Sequence, residues 1–258
     1  MYMDHYPIDI VVPWVDGSDP EWIQVHDRYT ADRNSDNSSA RYREWGLFRY
    51  WFRCIEKNAP WVRTVHLVTW GHLPKWLGPN APKLHIVKHS DYIPEQYLPT
   101  FSSHTIELNM HRIPGLAEHF IYFNDDFYLV GTANPEDYFL NGLPRDTATL
   151  GVVKIRDSVS FMPYIMLNML ALINETFSKT AVIRANWKKW FHPCYGKSLL
   201  NNLYLLPWNA FTGFRDYHTC FAYTKQTLQK VWEQFPEALD RTCRNRFRSR
   251  EDVNQYLF

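Results

Sequence analysis

The 258-residue chain carries 28 Lys and Arg against 27 Asp and Glu, a formal charge of +1 that excludes a strongly basic nucleic-acid binder. With 45% hydrophobic and 17% aromatic residues it can bury a large core, which excludes a disordered chain. This balance favours one α/β body with insertions.

From the N-terminus, Met1 to Pro7 carries Asp4 and His5 and lacks the charged-then-apolar shape of a leader, so secretion is not expected. Ile8 to Trp14 is β-branched and apolar, and predicts a buried strand that ends in the turn cluster Asp16-Gly17-Ser18-Asp19-Pro20. Asp27 to Ala40 is polar and predicts a surface loop. Leu47, Tyr50, Trp51, Cys54 and Ile55 recur at three and four, the spacing of an amphipathic helix over 47–58. Val65 to Thr69 and Leu84 to Val87 predict strands, Ser103 to Arg112 a helix, and Phe120 to Phe123 a fourth strand. Alternating strands and helices imply a mostly parallel sheet between helices. After Leu150 the pattern is largely helical, with helices expected at 161–175, 181–190 and 224–234 and a last one starting near Ser249. The expected organisation is therefore an α/β core over 1–150 and a mainly helical lid over 151–258, together one catalytic unit. Phe161 to Ile173 is broken by Pro163 and Asn168 and falls short of the roughly 20 residues a bilayer needs. Cys54, Cys194, Cys220 and Cys243 show no metal-ligand spacing and fit a reducing compartment.

Asn124-Asp125-Asp126 follows an apolar run and precedes Phe127-Tyr128-Leu129. Carboxylates beside a core need a partner, and the carboxyl ends of strands are where open α/β sheets bind ligands. A hard cation such as Mg²⁺ suits such a pair, and a tight turn capped by its own side chains is the alternative. Asp16 belongs to a second strand-end loop that faces the same crevice or is an ordinary turn. Arg43, Arg49 and Arg53 surround the first helix, either as phosphate-gripping forks or as a solvated face. His104, Glu107 and His111 share a helix face, open to metal ligation or to core hydrogen bonds. His218 stands at the mouth of an aromatic stretch, and Arg246, Arg248 and Arg250 precede the expected last helix, with Ser249 as its cap.

These blocks together resemble the Stealth proteins, which include bacterial capsule and exopolysaccharide phosphotransferases and the catalytic chain of the animal lysosomal-enzyme GlcNAc-1-phosphotransferase. The first block is similar to Ile8 through Pro20. The second runs from Arg41-Tyr42-Arg43 through Ala59-Pro60-Trp61-Val62-Arg63, Phe101-Ser102-Ser103-His104 and His111-Arg112-Ile113-Pro114-Gly115 to Asn124-Asp125-Asp126. The third extends from His218 to Phe247-Arg248-Ser249 and Glu251-Asp252. Ile173-Asn174 through Phe211-Thr212-Gly213-Phe214 resembles the Gram-positive branch, and the family's fourth block would lie past Phe258.

The resemblance implies a GT-A-like core that moves a sugar 1-phosphate from a UDP-sugar to an acceptor hydroxyl on a glycan or lipid-linked oligosaccharide, releasing UMP. It implies Mg²⁺ or Mn²⁺ on Asp125 and Asp126, with Arg248 and Arg43 steadying phosphate oxygens. Asp16, Asn124 and His104 would contact substrate. His218 would be the general base for the acceptor hydroxyl, with Asp126 as its rival. A cytoplasmic enzyme visiting the inner membrane face is the implied setting. A conventional glycosyltransferase releasing UDP and a non-catalytic carbohydrate-binding module are the competing readings.

Overall fold

In the computed structural model, which describes residues 6–30, 42–215 and 217–258, β1 (Ile8–Trp14) is the central strand of a five-stranded sheet. Its side chains alternate between two cores: Val11 enters one, and Ile8, Ile10, Val12 and Trp14 enter the other. β2 (Val65–Thr69) and β4 (His119–Tyr122) flank β1 in parallel, and β3 (Leu84–Lys88) lies parallel outside β2. One face is covered by α2 (Phe48–Asn58), where Phe48, Trp51 and Ile55 lie three and four residues apart and are all buried. These strands and this helix follow the sequence pattern closely.

Between β1 and α2 lies α1 (Pro20–Asp27), inside a stretch that reads as turn and loop. Asp19 Oδ1 accepts from the Trp22 backbone N–H at 2.8 Å, Pro20 occupies the first turn, and buried Trp22 pins the helix. Residues 31–40 of the expected polar loop lie outside the described residues, as do Arg41, Asp216 and residues 1–5. The helix expected at 103–112 is α3 (Ser103–Leu108) followed by a 3-10 turn over Met110–Arg112. After β4 come the short α4 (Pro135–Tyr138) and a two-stranded ribbon of β5 (Phe139–Leu140) and β6 (Leu143–Pro144).

The second half begins with α5 (Met162–Thr176), which buries only Ile165 and Met169, and no described helix is long and apolar enough to cross a membrane. The single helix expected at 181–190 is two, α6 (Lys179–Ala185) and α7 (Trp187–Trp190), separated at Asn186, whose φ of −125° and ψ of 26° leave the helical region. α8 (Leu199–Leu205) follows. The half also supplies β7 (Phe221–Thr224), antiparallel on the outer side of β4. Four residues merging directly into α9 (Lys225–Gln234) give too little alternation to stand apart from the helical pattern. α10 (Pro236–Arg244) completes the second face of the sheet, where Val11 and Phe120 share a core with Leu228, Leu239 and Val253. The helix expected near Ser249 does not form. Ser249 N–H donates to the Asp252 carboxylate at 2.8 Å, closing a turn, and only a 3-10 turn at Gln255–Leu257 follows.

At the amino end of β1, Asp9 is fully buried and accepts from Arg63 Nε at 2.8 Å, His66 Nε2 at 2.9 Å and the Ala117 backbone N–H at 2.7 Å. Burial alone would raise its pKa, but these hydrogen bonds outweigh burial and hold it at about 2, below the ordinary 3.8. Because the folded value is the lower one, the contribution of about 2 kcal/mol is complete above the ordinary value and is lost as pH falls toward 2. Asp9→Asn strands Arg63 and His66 beside a neutral group and is expected to cost about 3–5 kcal/mol in urea unfolding at neutral pH. A midpoint equal to wild type would show that the cluster contributes nothing.

Candidate active site

The chain runs from β1 outward to β2 and β3, then returns to β4 on the other side of β1. The reversal leaves a switch point between the carboxyl ends of β1 and β4, the place where open α/β sheets form a ligand crevice. A cleft of about 220 Å³ lies there, bordered by Trp14 and Val15 at the end of β1 and by Tyr122, Asn124 and Asp125 at the end of β4. His104 and Glu107 reach it from α3, and His218 and Arg248 from the second half. Asn124, Asp125, His104, His218 and Arg248, chosen from sequence, thus meet on one surface.

The apolar run of β4 carries Asp125 to a half-buried position beside exposed Asp126. Burial, and then the charge of Asp126, push the Asp125 pKa up to about 6, with Glu44 adding to the repulsion. Neither carboxylate is in an ion pair among the described residues. No cluster of three His, Cys, Asp or Glu among the described residues forms a ready-made metal cage. Two adjacent, uncompensated carboxylates do fit a dication that takes one or two protein oxygens and completes its shell from phosphate and water.

On the opposite wall, the buried His104 Nδ1 lies 2.8 Å from Asp252 Oδ2. Asp252 also accepts from Asn245 Nδ2 at 2.7 Å, so its charge is spent fixing the imidazole and the turn at Ser249. The same bonds explain why no helix starts there. With Nδ1–H donated to the carboxylate, Nε2 is the ring nitrogen left for a ligand. One turn along α3, Glu107 Oε1 accepts from the Tyr122 hydroxyl at 3.1 Å, and its Oε2 is buried without a partner. Trp14 Nε1, His89 Nδ1 and Gln255 Oε1 are also buried and, like Glu107 Oε2, without a partner among the described residues, and all four residues border the cleft. Such a concentration of unspent hydrogen-bonding capacity marks a surface built for a polar ligand. Burial, and then the charge of His72, lower the His89 pKa to about 4 and keep that ring neutral. Arg248 Nη2 donates to Ser103 Oγ at 2.5 Å, which steers its planar fork toward the cleft wall.

His218 Nδ1 lies 3.1 Å from the Tyr256 hydroxyl, and its ring meets Phe127 edge to face at 4.9 Å. Tyr256 also borders the cleft.

Asp126, Asp16 and Arg43 do not border the cleft. Asp16 is a turn residue: its Oδ1 accepts from Ser18 Oγ at 2.6 Å and from Ser18 N–H at 2.9 Å, and the Ser18 hydroxyl bond chiefly lowers its pKa. Arg43 is exposed and stacks over Trp45 at 5.1 Å, while Arg49 and Arg53 both lie over Tyr50 on the outer face of α2. The loop after β1 acts instead through Gly17. A Cβ there would sit 2.6 Å from Tyr42 Cβ and from its carbonyl oxygen, so only glycine lets Tyr42 lie against the loop and wall the cleft. Sequence pattern marks Glu107, on a helix face shared with His104 and His111, but gives no sign of Asp252 or Tyr256 as site residues. The i, i+3 spacing of His104 and Glu107 is the one local signal that points to any of them.

Three family models match the chain: Stealth protein conserved region 1 over residues 6–33, conserved region 2 over 41–146 and conserved region 3 over 217–256. It is 42% identical to the capsular polysaccharide phosphotransferase WcwK of Streptococcus pneumoniae, over 97% of this chain and 76% of that protein. The exopolysaccharide phosphotransferase cps2G of Lactiplantibacillus plantarum is 40% identical over 98% of this chain and 74% of its own length. The receptor polysaccharide phosphotransferase WefC of Streptococcus oralis is 40% identical over 97% and 76%.

Proposed function

The chain belongs to the Stealth family, and from that premise we propose that it transfers a sugar 1-phosphate from a UDP-sugar to a hydroxyl of a growing polysaccharide or lipid-linked acceptor, releasing UMP. The observation that carries this reading is the meeting of Asn124 and Asp125, from the second matched region, with His218 and Arg248, from the third, at the switch point of the sheet. A crevice at the β1–β4 switch point is where open α/β sheets bind nucleotides, and this supports reading the sheet as a GT-A-like core covered by the helices of the second half.

In the proposed reaction the acceptor oxygen attacks the phosphorus that bears the sugar, in line with the leaving UMP oxygen. The new P–O bond forms as the phosphoanhydride bond breaks, and the sugar–oxygen bond survives. Asp125 and Asp126 would hold Mg²⁺ or Mn²⁺, which supplies charge neutralisation on the diphosphate. Arg248 would grip a phosphoryl oxygen with its fork, and Asn124 would orient the diphosphate. His218 would take the acceptor proton as the oxygen attacks. His104, fixed by Asp252, and Glu107, with an unpaired oxygen, would hydrogen-bond the sugar or phosphate. The loop of Asp16 would act on the nucleotide side by way of Tyr42. A place at the inner membrane face, where lipid-linked acceptors are assembled, rests on the family likeness.

Incubation with UDP-GlcNAc, Mg²⁺ and acceptor, followed by nucleotide chromatography, is expected to yield UMP. UDP as the sole product would mean cleavage of the sugar–oxygen bond and a conventional glycosyltransferase, and no nucleotide product would favour a binding module.

A further inference from the structure

A second and larger cavity, about 840 Å³, opens beside the cleft, within the ~300–1,000 Å³ typical of ligand sites. The two share Tyr256, and His218, which borders the cleft, is flanked by Tyr217 and Thr219, which line the cavity. We propose that this cavity is the acceptor groove, holding a short oligosaccharide segment of the glycan that receives the phosphoryl group; the assignment rests on the phosphotransfer reading above.

Its lining distinguishes a glycan from other occupants. Phe177, Phe214 and Tyr217 expose 50%, 41% and 39% of their surface, which leaves aromatic surface, beyond the side of Tyr217 that Arg215 covers, for the C–H face of a pyranose. Among the described residues, Arg145 and Arg215 are matched by Asp137 and Asp146, which gives hydrogen-bond donors and acceptors of both signs. The floor is apolar, with Met166, Met169, Leu170 and Ile173, but an acyl chain along it would leave the four charged side chains without polar partners, and a polyanion would need a basic lining. A neutral, hydroxyl-rich chain needs this mixture.

The wall is built to hold its shape. Gly213, at φ +139°, and Gly151 let the segments 149–153 and 211–215 lie in contact, and a Cβ on Gly151 would come within 2.9 Å of the Phe214 carbonyl oxygen. The close approach is fixed by Gly151 N–H donating to Gly213 O at 2.9 Å and Arg215 N–H donating to Thr149 O at 2.9 Å. The Arg215 guanidinium stacks on Tyr217 at 4.8 Å and fixes the ring next to His218. A hydroxyl at the end of a glycan lying along this wall arrives beside His218, where the proton must leave.

The test is an array of hexose and N-acetylhexosamine oligosaccharides of two to six units, with the tightest ligand then titrated by calorimetry. Wild type is expected to bind without UDP-GlcNAc. Tyr217→Ala and Phe177→Ala, both at exposed positions, are expected to bind at least about tenfold more weakly while keeping UDP-GlcNAc affinity in Mg²⁺. Asp125→Asn is expected to show the converse. Equal oligosaccharide binding by wild type and both groove variants, or no binding by wild type to any array member, would overturn the assignment. UDP in place of UMP as product overturns only the reading on which the groove rests.

Discussion

Asp125→Asn is expected to lower UMP formation by at least about a hundredfold, the scale of losing a preorganised charge partner, and at the same time to leave the fold as stable or more so. The carboxylate is half-buried, pushed up to about 6 by burial and by Asp126, and has no cationic partner among the described residues. Asparagine keeps its shape and removes the repulsion. A gain of about 1 kcal/mol corresponds to a melting temperature higher by about 2–4 °C in a chain of this size. The thermal shift that Mg²⁺ and UDP-GlcNAc give wild type should vanish in the variant. Asp9→Asn removes the same carboxylate from the other end of the neighbouring strand, where every oxygen is paired, and should do the reverse: large destabilisation with the cleft untouched. Stability held at the expense of poise at one end and of structure at the other separates a site carboxylate from a structural one. A lower melting temperature with normal turnover in Asp125→Asn would make it structural too.

The parts legible in sequence were those with strong period or strong chemistry. β1 and β2 are apolar runs bounded by turn residues, α2 has a three-and-four repeat, and Asn124-Asp125-Asp126 breaks an apolar stretch with charge. What sequence hid was long-range pairing. Asp252 reads as the start of a helix until His104, 148 residues away, is seen to hold it, and β7, which lies almost wholly ahead of the helix expected at 224–234 and carries no strand signal, forms because β4 lies beside it. Glu107 shares a helix face with His104 in the sequence pattern, but only the fold shows that both face the β1–β4 crevice and that His111 does not border it. Asp16 and Arg43 were read as contacts because they sit in the matched blocks. The structure spends the first on a turn and the second on Trp45, and the missing Cβ of Gly17, which lets Tyr42 approach the loop, explains that block at least as well. The acceptor groove had no local signature, since its wall joins segments about 60 residues apart through backbone hydrogen bonds.

His218→Ala is expected to reduce turnover by at least about a hundredfold with the circular dichroism and melting curve of wild type, because the exposed ring carries no core packing. With Nδ1–H donating to the Tyr256 hydroxyl oxygen, Nε2 keeps the lone pair that takes the acceptor proton, so Tyr256→Phe, which removes only this orienting contact, should cost far less than removing the imidazole. A base and a positioning residue part company in the pH–rate profile: loss of the base removes the limb on which activity rises with pH, whereas loss of a positioning group scales the profile without changing its shape. Asp126 competes for the role on the family likeness, yet it lies off the cleft, whereas His218 borders the cleft at its junction with the acceptor groove. Asp126→Asn should therefore lower the response to Mg²⁺ and keep the rising limb. A limb that survives in His218→Ala and disappears in Asp126→Asn would exchange the two roles. His104→Ala differs from both, since it also leaves Asp252 buried without its imidazole, and it should unfold at lower urea in addition to losing activity.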